Sequence, residues 1–315
     1  MITGTNRQEL LDFETQLQTK VNKVSIKGDA QEFLGMEISR NRDQKSITLR
    51  QTQFIGDALH SEGLSEASTK PSPAASTIDL NKAPKGDPEK PTPMREIVGR
   101  IRYAVDHTCP EALFIASQLS SAASNAGPEH FSAAESCLRY MKGAASTGLT
   151  LGGRESISPQ IFVDASYIEE GDARSQCGLC VRLNSESGMI YSRSYKDTSV
   201  SLSSAEAELR ALKEAAQEAL WLRYFLRELG YPIDSPIPIY EDNQAVVNLI
   251  DTLKLCPRTR HLNKIREFII EKALEGKIKV FKIAGEFNVA DILTKALDTT
   301  RFLMLRAKLL GEALK

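Results

Sequence analysis

Four short stretches of the sequence place carboxylates where they could act together. Asp164 ends the apolar run IFVD, and Asp242 ends the run IPIYED. Glu208 belongs to SAEAELRAL, and Asp291 belongs to VADILTKAL. Each acid alone is common at the end of a strand or the start of a helix. Together, four oxygen donors without a nearby zinc-type set of histidines and cysteines favour a hard cation, Mg²⁺ or Mn²⁺.

The stretch SLSSAEAELRAL contains two glutamates that lie on nearly opposite faces of a helix. On a helical wheel, Glu208 shares its face with apolar residues and should be buried, whereas Glu206 shares its face with polar residues and should be solvated. Ser203 and Glu206 also form a capping box, which gives Glu206 a structural role. Because an acid on an apolar face needs a compensating partner, Glu208 is the better ligand candidate. A partly exposed or protonated side chain is the equally weighted alternative.

The elements that must position these acids follow from the apolar periodicity. From about residue 156 the pattern predicts three strands, a long helix over 204–229, and then alternating strands and helices. This order is typical of an α/β layered domain of roughly 150 residues. Ligands of such sheets lie beyond the carboxyl ends of the strands. We therefore expect the acids to converge there, with Asp291 opening a helix over VADILTKAL.

The first half of the chain has a different pattern. A helix over RQELLDFETQLQTKV precedes two strands, EFLGMEISR and KSITLRQ, which a polar turn joins. Six of the 13 prolines fall within residues 71–93, which indicates a linker or a long surface loop. Helices broken at Pro110 and near Gly127 are then expected up to about residue 150.

Composition limits the classes of protein to consider. Forty basic residues stand against 41 acidic ones in a chain of 315 residues, so nucleic-acid binding would need a local basic patch. No apolar run is long enough to span a bilayer, and the N-terminus lacks the layout of a signal peptide. Five cysteines in so long a chain suggest reduced thiols and an intracellular protein. Cys177 and Cys180 form a CxxC pair on a predicted strand, whose side chains should face opposite ways as structural residues.

Eight stretches together resemble the Pol polyprotein of copia-type retrotransposons, specifically the end of its reverse transcriptase and its ribonuclease H domain. They are FLGMEISR, REIVGRIRY, EHFSAAESCLRYMKG, FVDAS, LSSAEAELRALKEAAQEALWL, YEDNQAVV, RTRHLNKIREFIIEKALEG and NVADILTKAL. The resemblance implies an α/β, ribonuclease H-like fold with a mixed five-stranded sheet and flanking helices. A truncated reverse-transcriptase palm and thumb remnant and a helical connection region would precede it.

The activity implied by the resemblance is two-metal hydrolysis of the RNA strand of an RNA–DNA hybrid, with Mg²⁺ or Mn²⁺. Carried across position by position, Asp164, Glu208, Asp242 and Asp291 are its catalytic residues and metal ligands. The mobile histidine that some ribonucleases H carry before the last aspartate has no counterpart in AGEFNVAD.

Further residues are candidates for binding the substrate. Ser166, Asn243 and Gln244 flank the acids and could bond to the nucleic-acid backbone, with turn and cap roles as the equal alternative. A basic cluster could contact phosphates, although a solvated helix face is the more common outcome for such a run. Its members are Arg258, Arg260, His261, Lys264 and Arg266.

The resemblance also implies a division of the chain. The segments are a polymerase palm and thumb remnant (1–70), a Pro-rich linker or loop (71–93), a helical connection region (94–155), the ribonuclease H domain (156–300) and a C-terminal helical tail (301–315). The paired aspartates of the polymerase would precede residue 1, so polymerase activity is not expected. Expected partners are an RNA–DNA hybrid and the missing polymerase part, and no membrane. The alternatives are an inactive remnant that at most binds nucleic acid, and an unrelated α/β phosphatase or nuclease.

Overall fold

Two β-sheets organise the chain in a computed structural model, which describes residues 7–21, 29–75, 80, 83–86, 93–167, 174–251 and 263–312. The first sheet is antiparallel throughout, with the order β1-β2-β3-β4. Its strands are β1 (Glu32–Phe33), β2 (Met36–Asn41), β3 (Ser46–Arg50) and β4 (Leu149–Gly152). The predicted strand KSITLRQ is confirmed as β3. The predicted strand EFLGMEISR is divided by a turn at Leu34 and Gly35 into β1 and β2, and β4 was not predicted.

Five helices accompany this first sheet. They are α1 (Arg7–Lys20), α2 (Thr52–Ser61), α3 (Met94–Val105), α4 (Leu113–Ala122) and α5 (Pro128–Ala144). The predicted breaks are confirmed, since Pro110 opens a short 3₁₀ turn before α4 and Gly127 precedes α5. No helix in the described residues is long and apolar enough to cross a membrane.

The second sheet has five strands in the order β7-β6-β5-β8-β9. Its strands are β5 (Gln160–Ser166), β6 (Gln176–Arg182), β7 (Tyr191–Lys196), β8 (Ile237–Glu241) and β9 (Ile278–Lys282). The pairs β5–β6 and β6–β7 are antiparallel, whereas β5–β8 and β8–β9 are parallel. The mixed, ribonuclease H-like sheet is thus confirmed. As predicted, Cys177 and Cys180 face opposite sides, and each is buried in a different apolar cluster.

Three helices cover one face of this sheet: α6 (Ser204–Glu228), α7 (Gln244–Asp251) and α8 (Asn263–Leu274). Helix α6 packs across β5, β6 and β8. Its buried side includes Ala215 and Ala219, which let the helix approach the sheet closely, and Leu212, which is fully buried. Truncation of such a leucine to alanine costs about 2–5 kcal/mol. This packing fixes the start of α6 over the ends of β5 and β8.

The opposite face of the sheet packs against the first half of the chain. One apolar cluster combines the buried residues of α3, α4 and α5 with Phe162 of β5 and with the final helix α9 (Thr299–Leu310). Tyr140 of α5 meets Phe302 of α9 edge-on, with ring centroids 5.4 Å apart. Segments on both sides of residue 156 therefore share one core. The domain boundaries drawn from the sequence remain predictions.

The segment VADILTKAL differs from the prediction. Val289–Leu293 forms a 3₁₀ helix, and the next α-helix begins only at Thr299. The side chain of Asn288 caps the turn through the N–H of Ala290 and donates to the carbonyl of Val163, 2.9 Å away. Because the sheet holds this short segment through side-chain contacts, its backbone tightens instead of continuing as an α-helix. The predicted helix over VADILTKAL is therefore wrong.

Candidate metal centre

Three acids from different elements converge at the carboxyl ends of β5 and β8. Asp164 lies near the end of β5, Asp242 follows the last residue of β8, and Glu208 extends from the second turn of α6. Each offers one carboxylate oxygen, and these oxygens all lie within 4.8 Å of one another. Among the described residues, this is the only group of acids, histidines or cysteines with such spacing. The arrangement suits a hard divalent cation.

Glu208 is buried, as the wheel predicted, with 5% of its surface exposed. The N–H of Ala165 donates to its carboxylate, but the second oxygen, Oε2, is buried without a hydrogen-bond partner. Burial, followed by the charges of Glu241, Asp164 and Asp242, raises the pKa of Glu208 strongly. A cation would satisfy the unpartnered oxygen and replace the proton that the acid otherwise retains.

Glu206 departs from the prediction of a solvated side chain, because only 3% of its surface is exposed. Its oxygens accept hydrogen bonds from Arg210 at 2.9 Å and from the N–H of Leu202 at 3.0 Å. Arg210 also donates to Ser199, so the segment before α6 folds back over the helix start. The capping box is confirmed in part: the Ser203 hydroxyl accepts from the Glu206 N–H at 3.2 Å, but the Glu206 carboxylate accepts from the N–H of Leu202 instead of that of Ser203. Both glutamates are thus buried, but only Glu208 has a carboxylate oxygen without a hydrogen-bond partner.

Asp164 is held by the segment after the 3₁₀ turn. The Thr294 hydroxyl donates to its Oδ2, and the Lys295 ammonium lies 3.7 Å from the same atom. Burial raises the pKa of Asp164, and the charge of Lys295 opposes that rise. Gly178 is paired with Asp164 on the neighbouring strand, and a Cβ there would meet Leu293 at 2.7 Å. Glycine at this position therefore allows the turn to approach the sheet closely.

Asp291, the fourth predicted ligand, lies beside the cluster and not within it. It is fully buried, and Arg301 of α9 donates to its Oδ2. The Lys295 ammonium lies 2.8 Å from its Oδ1. Two cationic side chains thus occupy the oxygens of Asp291, whose role as a metal ligand stays a prediction.

Sequence reasoning missed a fifth acid, Glu241. Its side chain is fully buried at the end of β8, where one oxygen accepts from the N–H of Asn243 at 2.8 Å. Burial raises the pKa of Glu241, and the charges of Asp242 and Asp164 raise it further. The alternation in IPIYE gives a signal that was available, because Glu241 shares the inward face of Ile237 and Ile239. The cationic contacts of Lys295 and Arg301 had no such signal.

The predicted substrate-binding residues divide into two groups. Ser166 ends β5, Asn243 precedes α7 and Gln244 begins it, so all three lie next to the acids in the fold. The Asn243 side-chain oxygen accepts from the N–H groups of Ala245 and Val246, which is a cap role. Gln244 donates to Asn248, 2.8 Å away.

Of the basic cluster, Arg258, Arg260 and His261 lie outside the described residues. Arg266 is buried and donates to the carbonyl of Leu249 at 2.7 Å. Its expected phosphate contact is therefore wrong, because the guanidinium serves the packing of α8 against α7. Lys264 is exposed near the start of α8.

Comparisons with known proteins find similar sequences among retrotransposon Pol polyproteins. The chain is 31% identical over 310 residues to the Retrovirus-related Pol polyprotein from transposon TNT 1-94 of Nicotiana tabacum, covering 96% of the chain and 23% of that protein. It is 29% identical over 271 residues to the Pol polyprotein from transposon RE1 of Arabidopsis thaliana, covering 86% of the chain and 18% of that protein. Both relatives are retrotransposon Pol polyproteins, and the chain is similar to them over most of its length. It spans about a fifth of the length of these two Pol relatives.

Solved structures give a weaker likeness. LC11-RNase H1 in complex with an RNA/DNA hybrid is 16% identical with a TM-score of 0.34, covering 43% of this chain and 92% of that one. No family model matches the sequence.

Proposed function

We propose that this Pol segment is a metal-dependent endonuclease that hydrolyses the RNA strand of RNA–DNA hybrids. The observation that carries the proposal is the convergence of Asp164, Glu208 and Asp242, together with the buried, unpartnered oxygen of Glu208. A lone buried acid can take up a proton, whereas three acids aimed at one point are best compensated by a shared cation.

The three acids would hold the cation, and Asp291 would join them as the fourth ligand. A pair of Mg²⁺ or Mn²⁺ ions held by these acids would supply the chemistry of a two-metal site, which is activation of water and stabilisation of the departing oxygen. The chain positions its ligands firmly, since Thr294 orients Asp164 and the Ala165 N–H orients Glu208.

Residues beside the acids would contact the substrate. Because the Asn243 oxygen caps α7, its amide N–H groups are the part directed to the nucleic-acid backbone, with Ser166 and Gln244 on either side of the acids. Arg260 and His261 are proposed for phosphate contacts. Selection of the hybrid would rest on groove shape and on 2′-hydroxyl contacts, not on base sequence.

The rest of the Pol polyprotein would supply context. We propose that the chain is divided into a palm and thumb remnant (1–70), a linker or loop (71–93), a connection region (94–155), a ribonuclease H domain (156–300) and a C-terminal tail (301–315). A polymerase part is proposed as the partner that helps to hold the hybrid. Polymerase activity is not proposed for this chain.

Cleavage of a labelled RNA–DNA hybrid by the full chain tests the proposal. The assay would use Mg²⁺ or EDTA, with duplex DNA, duplex RNA and a phosphate monoester as other substrates, and with Asp242→Asn as the matched variant. Cutting of only the hybrid's RNA strand, dependent on Mg²⁺ and lost in Asp242→Asn, is the expected result. A folded chain that binds the hybrid without cutting it would favour the inactive remnant, and hydrolysis of the monoester alone would favour a phosphatase.

A further inference from the structure

An ammonium group of the chain itself lies between two of the acids. Lys295 Nζ is 2.8 Å from Asp291 Oδ1 and 3.7 Å from Asp164 Oδ2. Both carboxylates are buried, whereas 41% of the lysine side chain is exposed. A flexible side chain thus reaches inward from the surface and places a positive charge between two buried negative ones.

Asp164 belongs to two groups of charges. On one side it converges with Glu208 and Asp242, where no basic side chain of the described residues forms an ion pair with either of those two acids. On the other side it shares Lys295 with Asp291. The two sides of Asp164 therefore differ, because an ammonium forms ion pairs on the Asp291 side alone. On the other side the charges of Lys295 and Lys282 oppose the rise in the pKa of Asp242, but neither lysine forms an ion pair with it.

We propose that Lys295 is a resident cation that occupies the place of the second metal ion. A first divalent ion binds at Asp164, Glu208 and Asp242 without displacing the lysine. A second ion, which needs Asp164 and Asp291, binds only when the ammonium moves out. This inference rests on the proposed metal site, and it assigns to Lys295 a positioning role that governs how many ions the site holds.

The other contacts favour a movable lysine and a fixed aspartate. Arg301 bonds both to Asp291 and to the carbonyl of Gly285, 2.8 Å away, so it holds Asp291 from the opposite side. Lys295 has a flexible, unbranched side chain, 41% of which is exposed to solvent. Two like charges in one place repel each other strongly in a partly buried site. Lysine and a second divalent ion consequently exclude each other.

Counting of bound Mn²⁺ tests the inference without relying on catalysis. The full chain would be titrated with Mn²⁺, with the free ion measured by electron paramagnetic resonance, for the wild type, Lys295→Met and Lys295→Gln. Lys282→Met is the matched control, because Lys282 also lies beside the acids but bonds to the backbone carbonyls of Asp242 and Ile283. Circular dichroism would verify that each variant is folded. If Lys295→Met does not fold, the polar variant Lys295→Gln still provides the measurement.

One tight ion and a second that binds about tenfold or more weakly are expected for the wild type and for Lys282→Met. Both Lys295 variants should bind the second ion about tenfold more tightly. Equal affinities for two ions in the wild type, no gain in the Lys295 variants, or the same gain in Lys282→Met would each overturn the inference. Absence of Mn²⁺ from every variant would overturn it too, together with the metal site.

Hybrid cleavage separates this inference from the proposed function. A wild-type chain that binds Mn²⁺ as expected but does not cut the hybrid contradicts the nuclease and supports the role of Lys295. A chain that cuts the hybrid while its Lys295 variants bind ions as the wild type does contradicts only the role of Lys295.

Discussion

Two regions of the molecule bury acids in different ways. At the end of the five-stranded sheet, Asp164, Glu208 and Asp242 point toward one another. In the first half of the chain, Glu111 is buried, accepts a hydrogen bond from the Tyr140 hydroxyl at 2.8 Å and lies near Arg306. Each region contains a carboxylate oxygen without a hydrogen-bond partner. Burial and an unpartnered oxygen therefore do not by themselves distinguish a ligand site.

Convergence is the difference between the two regions. Within the described residues, Glu111 belongs to no group of three or more acids, histidines or cysteines at ligand spacing, so a single proton can remove its unfavourable buried charge. Burial raises the pKa of Glu111 to about 7. The acids at the sheet end raise one another's pKa values, and one proton neutralises the charge of only one of them. Four changes test this contrast.

The largest effect is expected from Glu208→Gln. Loss of one ligand charge should reduce Mg²⁺-dependent hybrid cleavage by about 10³-fold or more, which corresponds to roughly 4 kcal/mol. The metal-free fold should be as stable as the wild type or more stable, because an uncompensated buried acid is removed. Cleavage rates and thermal melts would be measured together.

Glu206→Gln is the matched control for that change, on the same helix and equally buried. It should retain cleavage. If Glu206→Gln were inactive and Glu208→Gln active, the assignment of the ligand would be reversed.

Glu111→Gln is expected to stabilise the fold at alkaline pH. The folded-state pKa of about 7 lies above the ordinary value of 4.5, so protonation favours the folded state. This contribution is complete below pH 4.5 and is lost as the pH rises through 7. At pH 9 the variant should gain up to about 3 kcal/mol in the free energy of unfolding, and at pH 4 almost nothing. Urea unfolding at both pH values measures the difference, and an equal gain at both would contradict the protonation argument.

Mg²⁺ should stabilise the wild-type chain through the sheet-end acids. At 100 times the dissociation constant a ligand adds about 2.7 kcal/mol to the free energy of unfolding. Thermal melts with and without Mg²⁺ would show this shift, which Asp164→Asn should abolish and Glu111→Gln should retain. A shift that survives in Asp164→Asn would place the cation elsewhere.

The smallest effect is the stability cost of Glu206→Gln. Loss of its charge weakens the hydrogen bonds from Arg210 and from the Leu202 N–H, so unfolding should become easier by about 1–2 kcal/mol. Arg210→Gln should cost a similar amount, and the double variant should cost less than the sum. Strict additivity of the two changes in urea unfolding would show that the pair is not coupled.

The sequence predicted the five strands, the long helix and the inward direction of Glu208, because these depend on local apolar periodicity. It did not predict the burial of Glu206, since that depends on the preceding segment folding back to bring Ser199 against Arg210. The 3₁₀ turn at Asp291 also escaped it, because contacts with the distant strand β5 override local helix preference. Lys295 and Arg301 show the same limit. Their ion pairs arise only when the turn and α9 pack against the sheet.

The unpartnered oxygen of Glu208 has a consequence for the evolution of such chains. A substitution that removes this acid is expected to leave the fold intact or to strengthen it, so selection for stability alone would not retain Glu208. Mutational drift in a copy that no longer binds cations would encounter no folding penalty at this position. Copies that no longer bind cations would thus persist as well-folded proteins. In them the acid at position 208 would be lost before the fold of the five-stranded sheet.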